Sequence, residues 1–213
     1  MLDKTPRYYH IIDELVELFP KAKFVLLARN PLSVFGSILN YNFNGNIKAM
    51  MSSPDRRHDL YTGPKNILEA KNRNLPNTVF IRYEDLVQDE GAIQTQIVDF
   101  LGIEYKSFAY SVGVDFAGTS WIDGKSVAKH SAPVENYIDS WRDHIRDGGA
   151  KCEAISYLRS LGEELMSGLG YDLSRTLSSV IAHKVDGEYS YKFRRFCGMK
   201  ARRALNVAKR YFN

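Results

Sequence analysis

The residues best suited to bind an anion lie directly after an apolar segment. Residues 23–29 read KFVLLAR, a strand-length apolar run that ends in Arg29, and Asn30 and Pro31 follow at once. A guanidinium at the carboxyl end of a buried strand can hold a phosphate through two hydrogen bonds. Asn and Pro are typical of a helix start, whose N–H groups attract the same anion. The stretch therefore predicts a phosphate site.

Ser37 lies two helical turns further along the same predicted helix. Its hydroxyl would reach the anion if the helix runs beside it. The spacing alone leaves a second interpretation open, in which Arg29 pairs with an acidic neighbour and Ser37 is incidental.

A second strand-length segment ends in a similar way. Residues 78–83 read TVFIRY, and Glu84 and Asp85 then begin the next helix, where acidic side chains are favoured. Since the carboxyl ends of parallel strands share one edge, Tyr83 is expected beside Arg29, where its ring could flank a nucleobase. Considered alone, the segment fits a different interpretation better, in which Glu84 and Asp85 are charges at a helix start and Tyr83 is a half-buried ring.

Helix and strand patterns alternate along the first 110 residues, which is typical of an α/β fold with a mostly parallel sheet flanked by helices. KFVLLAR suits a strand that is buried on both faces. Residues 43–63 are rich in Asn, Gly, Ser and Pro and predict a long loop or a broken helix, and residues 111–134 predict an irregular segment. Helices are predicted over 7–19, from 31, and over 64–73, 94–101, 134–145 and 151–169.

The composition is that of an ordinary soluble domain: of 213 residues, 44% are hydrophobic and 25% are charged. No apolar run approaches the length of a membrane span, and the N-terminus lacks the pattern of a secretory signal. We therefore expect a cytoplasmic protein. Cys152 and Cys197 have no metal-ligand spacing and are expected to be thiols in a reducing compartment, and no metal site is expected.

The net charge of +4 comes from the end of the chain, because eight Lys and Arg residues and no acidic residue follow Tyr189. We divide the chain into a domain over residues 1–173 and a basic tail over residues 174–213. The tail fits a solvated helix docked on the domain. Contact with a membrane surface or an anionic polysaccharide is an open alternative, and a nucleic acid is the least favoured partner.

Taken in order, the two strand-end segments resemble the sulfotransferase superfamily. In that family, a strand ending in Arg-(Asn/Asp)-Pro, with a serine eight residues after the arginine, binds the 3′-phosphate of the donor. Arg29 to Pro31 and Ser37 match this motif. Residues 82–86, RYEDL, match a second motif that contributes to the adenosine side of the site, which places Tyr83 near the adenine. The resemblance covers roughly residues 1–170.

A third match lies at the beginning of the chain. Residues 3–8, DKTPRY, are similar to the Glu-Lys-Thr/Ser-Pro stretch of carbohydrate and bacterial sulfotransferases. There the lysine lies near the transferring sulfuryl group, which makes Lys4 a catalytic candidate, and Asp3 stands where a general base is sometimes found. Trp141 and Arg142 resemble the Trp-Arg/Lys pair near the end of the family's domain.

One defining motif of the family is absent from this sequence. The phosphosulfate loop, approximately Lys/Arg-Ser-Gly-Thr-Thr, follows the first strand of the family and belongs well before Asp3. The resemblance therefore implies a sheet like that of P-loop NTPases that is incomplete on its N-terminal side. Gly124-Lys125-Ser126 lacks the spaced glycines of a phosphate loop. Its position is that of a late loop that closes over the donor, where Lys125 and Ser126 would contact phosphate.

The resemblance implies transfer of a sulfuryl group from 3′-phosphoadenosine 5′-phosphosulfate to a hydroxyl, with a small molecule or glycan as acceptor and no metal. The stretch at residues 3–6 favours a carbohydrate. A nucleotide kinase is disfavoured because the sequence has no Walker loop. A second alternative stays open: a non-catalytic adenosine-bisphosphate-binding or membrane-peripheral protein that has kept this half of the site.

Overall fold

The computed structural model describes residues 3–104 and 137–186, and its first part is built on a parallel pair of strands. β1 (Phe24–Ala28) and β2 (Thr78–Arg82) pair in register, from Phe24 opposite Thr78 to Ala28 opposite Arg82. This confirms the α/β class and both predicted strands. Because the strands are parallel, their carboxyl ends lie side by side at one edge.

One face of β1 is less covered than the sequence suggests. Leu26 and Ala28 are buried, whereas Val25 and Leu27, on the opposite face, are 43% and 50% exposed. The prediction of a strand buried on both faces is therefore wrong within residues 3–104 and 137–186. A run of apolar residues shows that a strand can be covered on both faces, but the covering elements must come from elsewhere in the fold.

Short helices flank the two strands. A 3₁₀ turn (Tyr8–His10) and α1 (Ile12–Leu18) precede β1, so the single helix predicted over 7–19 is interrupted at Ile11. α2 (Pro31–Phe43) follows β1 and begins as predicted, since the Asn30 side chain accepts a hydrogen bond from the backbone N–H of Leu32.

The segment between α2 and α5 (Gly63–Asn72) is a broken helix, one of the two predicted alternatives. It consists of α3 (Ile47–Ser52), α4 (Pro54–Arg57) and a π-helical turn (His58–Thr62), and it leads directly into α5 (Gly63–Asn72). π-helical turns are rare and are frequent at functional sites.

Within residues 83–104 and 137–186, five helices follow β2. These are α6 (Tyr83–Gln88), α7 (Glu90–Leu101), α8 (Trp141–His144), α9 (Gly148–Gly168) and α10 (Leu173–Ala182). The helix predicted over 134–145 is described from residue 137 onward and is α-helical there only over α8. The irregular segment predicted over 111–134 lies outside the described residues. In α9 a positive φ of 80° at Gly162 separates two helical stretches.

The hydrophobic core lies where α2 and α9 meet the segment of α3, α4 and the π-helical turn. Its fully buried side chains include Phe35, Leu39, Met50, Leu60, Tyr61, Tyr157, Leu158 and Met166. Gly36 lets α8 approach α2 closely, because a Cβ atom there would lie 2.9 Å from the backbone Cα of Trp141. Helices pack at such short distances only where a side chain is absent.

α10, the last helix among the described residues, packs against α9. Val180 is fully buried, and the buried Lys151 ammonium donates hydrogen bonds to the Ile181 and His183 carbonyl oxygens at the end of α10. A cation suits this end of a helix because its last carbonyl groups are unpaired. The proposed boundary between residues 173 and 174 stays a prediction.

Cys152 is buried and disulfide-bonded, so the prediction that it is a thiol is wrong. Cys197 lies outside the described residues. In the part of the chain that the structure describes, no helix has the length and apolar character needed to cross a membrane.

Candidate functional site

Arg29 and Tyr83 meet where the two strands end. Arg29 follows β1, Tyr83 follows β2, and the in-register pairing of the strands brings them together. The guanidinium carbon of Arg29 lies 4.5 Å from the centre of the Tyr83 ring, within the range of a cation–π contact. The two strand-end motifs thus form one cluster, as the sequence predicts.

The Arg29 guanidinium keeps donors for a ligand. It donates one hydrogen bond to the Tyr137 carbonyl oxygen, while its buried Nε–H has no hydrogen-bond partner among the described residues. A guanidinium has five N–H donors and suits phosphate geometry. No ion pair with an acidic side chain holds Arg29 within residues 3–104 and 137–186. The described residues therefore give no support to the alternative of an arginine paired with an acidic neighbour.

The first N–H groups near the start of α2 are already occupied. The backbone N–H of Asn30 donates to Glu84 at 2.9 Å, and that of Leu32 donates to the Asn30 side chain. Pro31 has no N–H. The sequence predicts that this helix start helps to hold an anion, but these two N–H groups already have acceptors within the protein.

The acidic residues of the RYEDL segment hold the edge together. Glu84 is buried, and besides Asn30 it accepts a hydrogen bond of 2.7 Å from the Tyr171 hydroxyl. Burial, together with the charge of Glu84, raises the pKa of Tyr171 well above its usual value, so the hydroxyl stays a donor. Arg82 forms an ion pair with Asp85 and donates to the Gly170 carbonyl oxygen at 2.6 Å. These contacts hold in place the segment that carries Tyr83.

Two serines lie on one face of α2. Ser33 is buried and donates a hydrogen bond of 2.8 Å to the Ile138 carbonyl oxygen, and the half-buried Ser37 lies one turn further on. The residue pair Tyr137–Ile138 therefore contacts both Arg29 and Ser33. Sequence reasoning missed Ser33, although its spacing of four residues from Ser37 is a readable signal.

The other predicted site residues lie apart from this cluster. Asp3 and Lys4 are exposed, and Asp3 accepts a hydrogen bond of 2.5 Å from the Tyr8 hydroxyl. No described contact joins either of them to Arg29. Lys125 and Ser126 lie outside the described residues, so their predicted phosphate contacts stay predictions.

A cavity of about 320 Å³ opens beside the end of β1 and reaches Arg29. Its polar side is formed around Asp59, which the π-helical turn carries. The Asp59 carboxylate accepts two hydrogen bonds of 3.1 Å from Arg7, one of 2.6 Å from the Tyr9 hydroxyl and one of 2.8 Å from Arg56. This cluster of Arg7, Tyr9, Arg56 and Asp59 was not found from the sequence, because its members are brought together only by the fold.

The pKa of the Asp59 carboxyl lies below its usual value. Burial alone would raise it, but the hydrogen bonds from Arg7, Tyr9 and Arg56 stabilise the charged form more strongly. At pH 7 an Asp59→Asn variant should lose about 2 kcal/mol of unfolding free energy, as is typical of hydrogen bonds to a charged group. A lowered pKa means that this stabilisation is complete above about pH 4 and is lost as the pH falls further.

Urea denaturation of both proteins at neutral pH and at several values below about pH 4 tests this. The difference in unfolding free energy between the wild type and Asp59→Asn should become smaller as the pH falls. A difference that stays constant down to the lowest pH would show that the charge of Asp59 does not stabilise the fold.

Comparison with known proteins agrees with the motifs. The sequence profile of the sulfotransferase family matches residues 1–107. Nodulation protein NoeE of Sinorhizobium fredii (strain NBRC 101917 / NGR234) is 24% identical over 200 residues, covering 82% of this chain and 45% of NoeE, so the chain spans less than half the length of that relative. No solved structure gives a significant match. Among the described residues no group of three or more His, Cys, Asp or Glu could hold a metal ion. With half of its length matched and both strand-end motifs in place, the chain belongs to the sulfotransferase family.

Proposed function

We propose that this chain carries the 3′-phosphoadenosine half of the donor site of a sulfotransferase that uses 3′-phosphoadenosine 5′-phosphosulfate. The observation that carries the proposal is the state of Arg29: it lies at the carboxyl edge of the strands, stacks on Tyr83, and has an unpartnered Nε–H among the described residues. A 3′-phosphate would supply the missing acceptor. The Tyr83 ring would flank the adenine.

The other predicted residues are assigned roles around this anchor. Ser37 would add a hydroxyl to the 3′-phosphate, and Lys125 and Ser126 would contact phosphate from a later loop. Lys4 would stabilise the charge that develops on the bridging oxygen as the sulfuryl group leaves. Asp3, or an acid on the acceptor side, would take the proton of the acceptor hydroxyl.

Sulfuryl transfer, like phosphoryl transfer, depends on positioning and on charge stabilisation rather than on covalent chemistry of the protein. The scheme needs no metal. Because the sequence contains no phosphosulfate loop, we propose that turnover requires that loop from outside these 213 residues. The half-exposed Val25 and Leu27 on β1 support a fold like that of P-loop NTPases whose sheet is incomplete here.

The acceptor in this proposal is a hydroxyl compound. The resemblance of residues 3–6 to carbohydrate sulfotransferases favours a sugar hydroxyl. The apolar walls of the cavity beside Arg29 favour a different class of acceptor.

The proposal is tested by calorimetric titration with adenosine 3′,5′-bisphosphate, the product form of the donor. The wild-type chain should bind it, and Arg29→Ala should weaken binding by about 50-fold, since charged hydrogen bonds to phosphate are worth about 2 kcal/mol or more. Arg159→Ala removes an exposed arginine of α9 and should leave the affinity unchanged.

A folded wild-type chain that binds no bisphosphate would overturn the donor role, although its family membership would stand. Binding that survives Arg29→Ala would show that the nucleotide is held elsewhere. If binding is confirmed but the chain, supplied with a phosphosulfate loop, transfers no sulfuryl group, the non-catalytic alternative is favoured.

A further inference from the structure

We propose that the cavity beside Arg29 is the acceptor pocket, and that it takes an acceptor with an apolar body and an anionic group. The assignment of this cavity to the acceptor rests on the proposed function. The chemistry of the ligand, however, follows from the cavity itself. Among hydroxyl acceptors, this favours a compact apolar anion over a neutral carbohydrate.

The walls of the cavity are predominantly apolar. Leu27 of β1, Val34 and Ile38 of α2, Ile67 of α5 and Leu169 line it. A volume of about 320 Å³ is at the lower end of the range for small-molecule sites, which are mostly apolar with a few convergent polar groups. A sugar would leave several hydroxyls against these walls without partners, at a cost in free energy.

The charges at the cavity favour an anion. Among the described residues three arginines line it, Arg7, Arg29 and Arg56, while two carboxylates face them: Asp59, which lines the cavity, and Asp55, which pairs with Arg7 at 3.3 Å. The Arg56 and Arg7 side chains are 30% and 41% exposed, so a ligand can reach them. An apolar ligand that also carries a negative charge would match both the walls and this excess of positive charge.

Asp59 acts as the support of these guanidiniums rather than as a ligand contact. Each of its two oxygens already accepts two hydrogen bonds, from Arg7 and Tyr9 on one oxygen and from Arg7 and Arg56 on the other. Burial and the hydrogen bond to Asp59 raise the pKa of Tyr9, so its hydroxyl remains a donor. The carboxylate thus holds Arg7 and Arg56 in place while most donors of Arg56 stay available.

The position of the cavity agrees with the role of an acceptor pocket. It reaches Arg29, the proposed anchor of the donor, and it is also bounded by Pro6 and Arg7. These two residues lie two and three positions after Lys4, the residue proposed to act on the sulfuryl group. An occupant would therefore lie between the donor anchor and the proposed catalytic segment.

A matched pair of fluorescent probes tests the ligand chemistry. Anilinonaphthalene sulfonate has an apolar aromatic body and one anionic group, and phenylnaphthylamine has the same rings without the anion. The wild-type chain should bind both, the sulfonate more tightly. Arg56→Gln should raise the Kd of the sulfonate by about 10-fold and change that of phenylnaphthylamine by less than about 2-fold.

Two further variants complete the design. Ile67→Trp fills the cavity and should weaken binding of both probes, while Arg159→Gln, an exposed arginine of α9, should affect neither. Thermal unfolding of every variant confirms that it is folded. If a folded Arg56→Gln protein lost affinity equally for both probes, or lost no affinity for the sulfonate, the proposed preference for an anion would be overturned.

Adenosine 3′,5′-bisphosphate separates this inference from the proposed function. The sulfonate probe should bind with unchanged affinity when the protein is saturated with the bisphosphate, because Arg7 and Arg56 hold the anion of the probe whereas Arg29 holds the bisphosphate. Competition between them would overturn the acceptor assignment and give the cavity to the nucleotide. A chain that binds the probe as predicted but no bisphosphate would refute the donor site alone.

Discussion

Replacing Glu84 with alanine is expected to lower the unfolding free energy by about 3 kcal/mol, because two buried donors lose their acceptor. The backbone N–H of Asn30 and the Tyr171 hydroxyl both donate to the Glu84 carboxylate, which is 9% exposed. In the variant neither donor has a replacement partner. Urea denaturation, followed by circular dichroism, measures the change.

The conservative variant Glu84→Gln keeps one carbonyl oxygen for Asn30 and should lose only about 1 kcal/mol. Glu163→Ala, an exposed acid of α9, should stay within about 0.5 kcal/mol of the wild type. If Glu84→Ala were no less stable than Glu163→Ala, the carboxylate would not join α6 to the start of α2 and to Tyr171. The role of the RYEDL segment in positioning Tyr83 would then be refuted.

The contact between Arg29 and Tyr83 shows what local patterns predict well. Each residue ends an apolar strand-length run, and parallel pairing alone requires the two runs to end at one edge. The cap at Asn30 is likewise determined by neighbouring residues, and it forms as predicted. Elements and contacts that depend on nearby residues are the ones that the sequence predicts.

The cluster around Asp59 shows what local patterns cannot predict. Arg7 and Tyr9 lie some 50 positions before Asp59 in the sequence, and only the packing of α5 and the π-helical turn brings them together. The occupation of the Asn30 N–H by Glu84 was missed for the same reason: 54 positions separate the two residues. A motif gives the residue types at a site, whereas the competing hydrogen bonds come from distant segments.

The motif residues also divide into two groups that the sequence does not distinguish. Arg29 keeps a buried donor without a partner among the described residues, whereas each of the three guanidinium nitrogens of Arg82 donates a hydrogen bond, to Asp85 or to Gly170. Both are arginines at strand ends, and a pattern of residue types treats them alike. Only the hydrogen-bond partners show that the first is suited to a ligand and the second to the fold.

Tyr157→Ala is expected to have the largest effect on stability, a loss of about 4 kcal/mol, because a large side chain leaves the centre of the core. The Tyr157 ring is 1% exposed, stacks on Phe35 with centroids 5.4 Å apart, and meets Tyr61 edge-on at the same distance. Its hydroxyl donates a hydrogen bond of 2.9 Å to the Leu60 carbonyl oxygen. Urea denaturation again measures the change.

Tyr157→Phe separates packing from hydrogen bonding, since it keeps the ring and removes only the hydroxyl. It should lose about 1 kcal/mol. Leu60 directly follows Asp59 in the π-helical turn, so loss of this bond should also loosen the support of Arg7 and Arg56 and weaken binding of the sulfonate probe. A Tyr157→Phe protein that loses stability but binds the probe as tightly as the wild type would show that the turn is held by packing alone. An unchanged stability would mean that the Leu60 carbonyl finds another donor, and that α9 does not fix the turn through this bond.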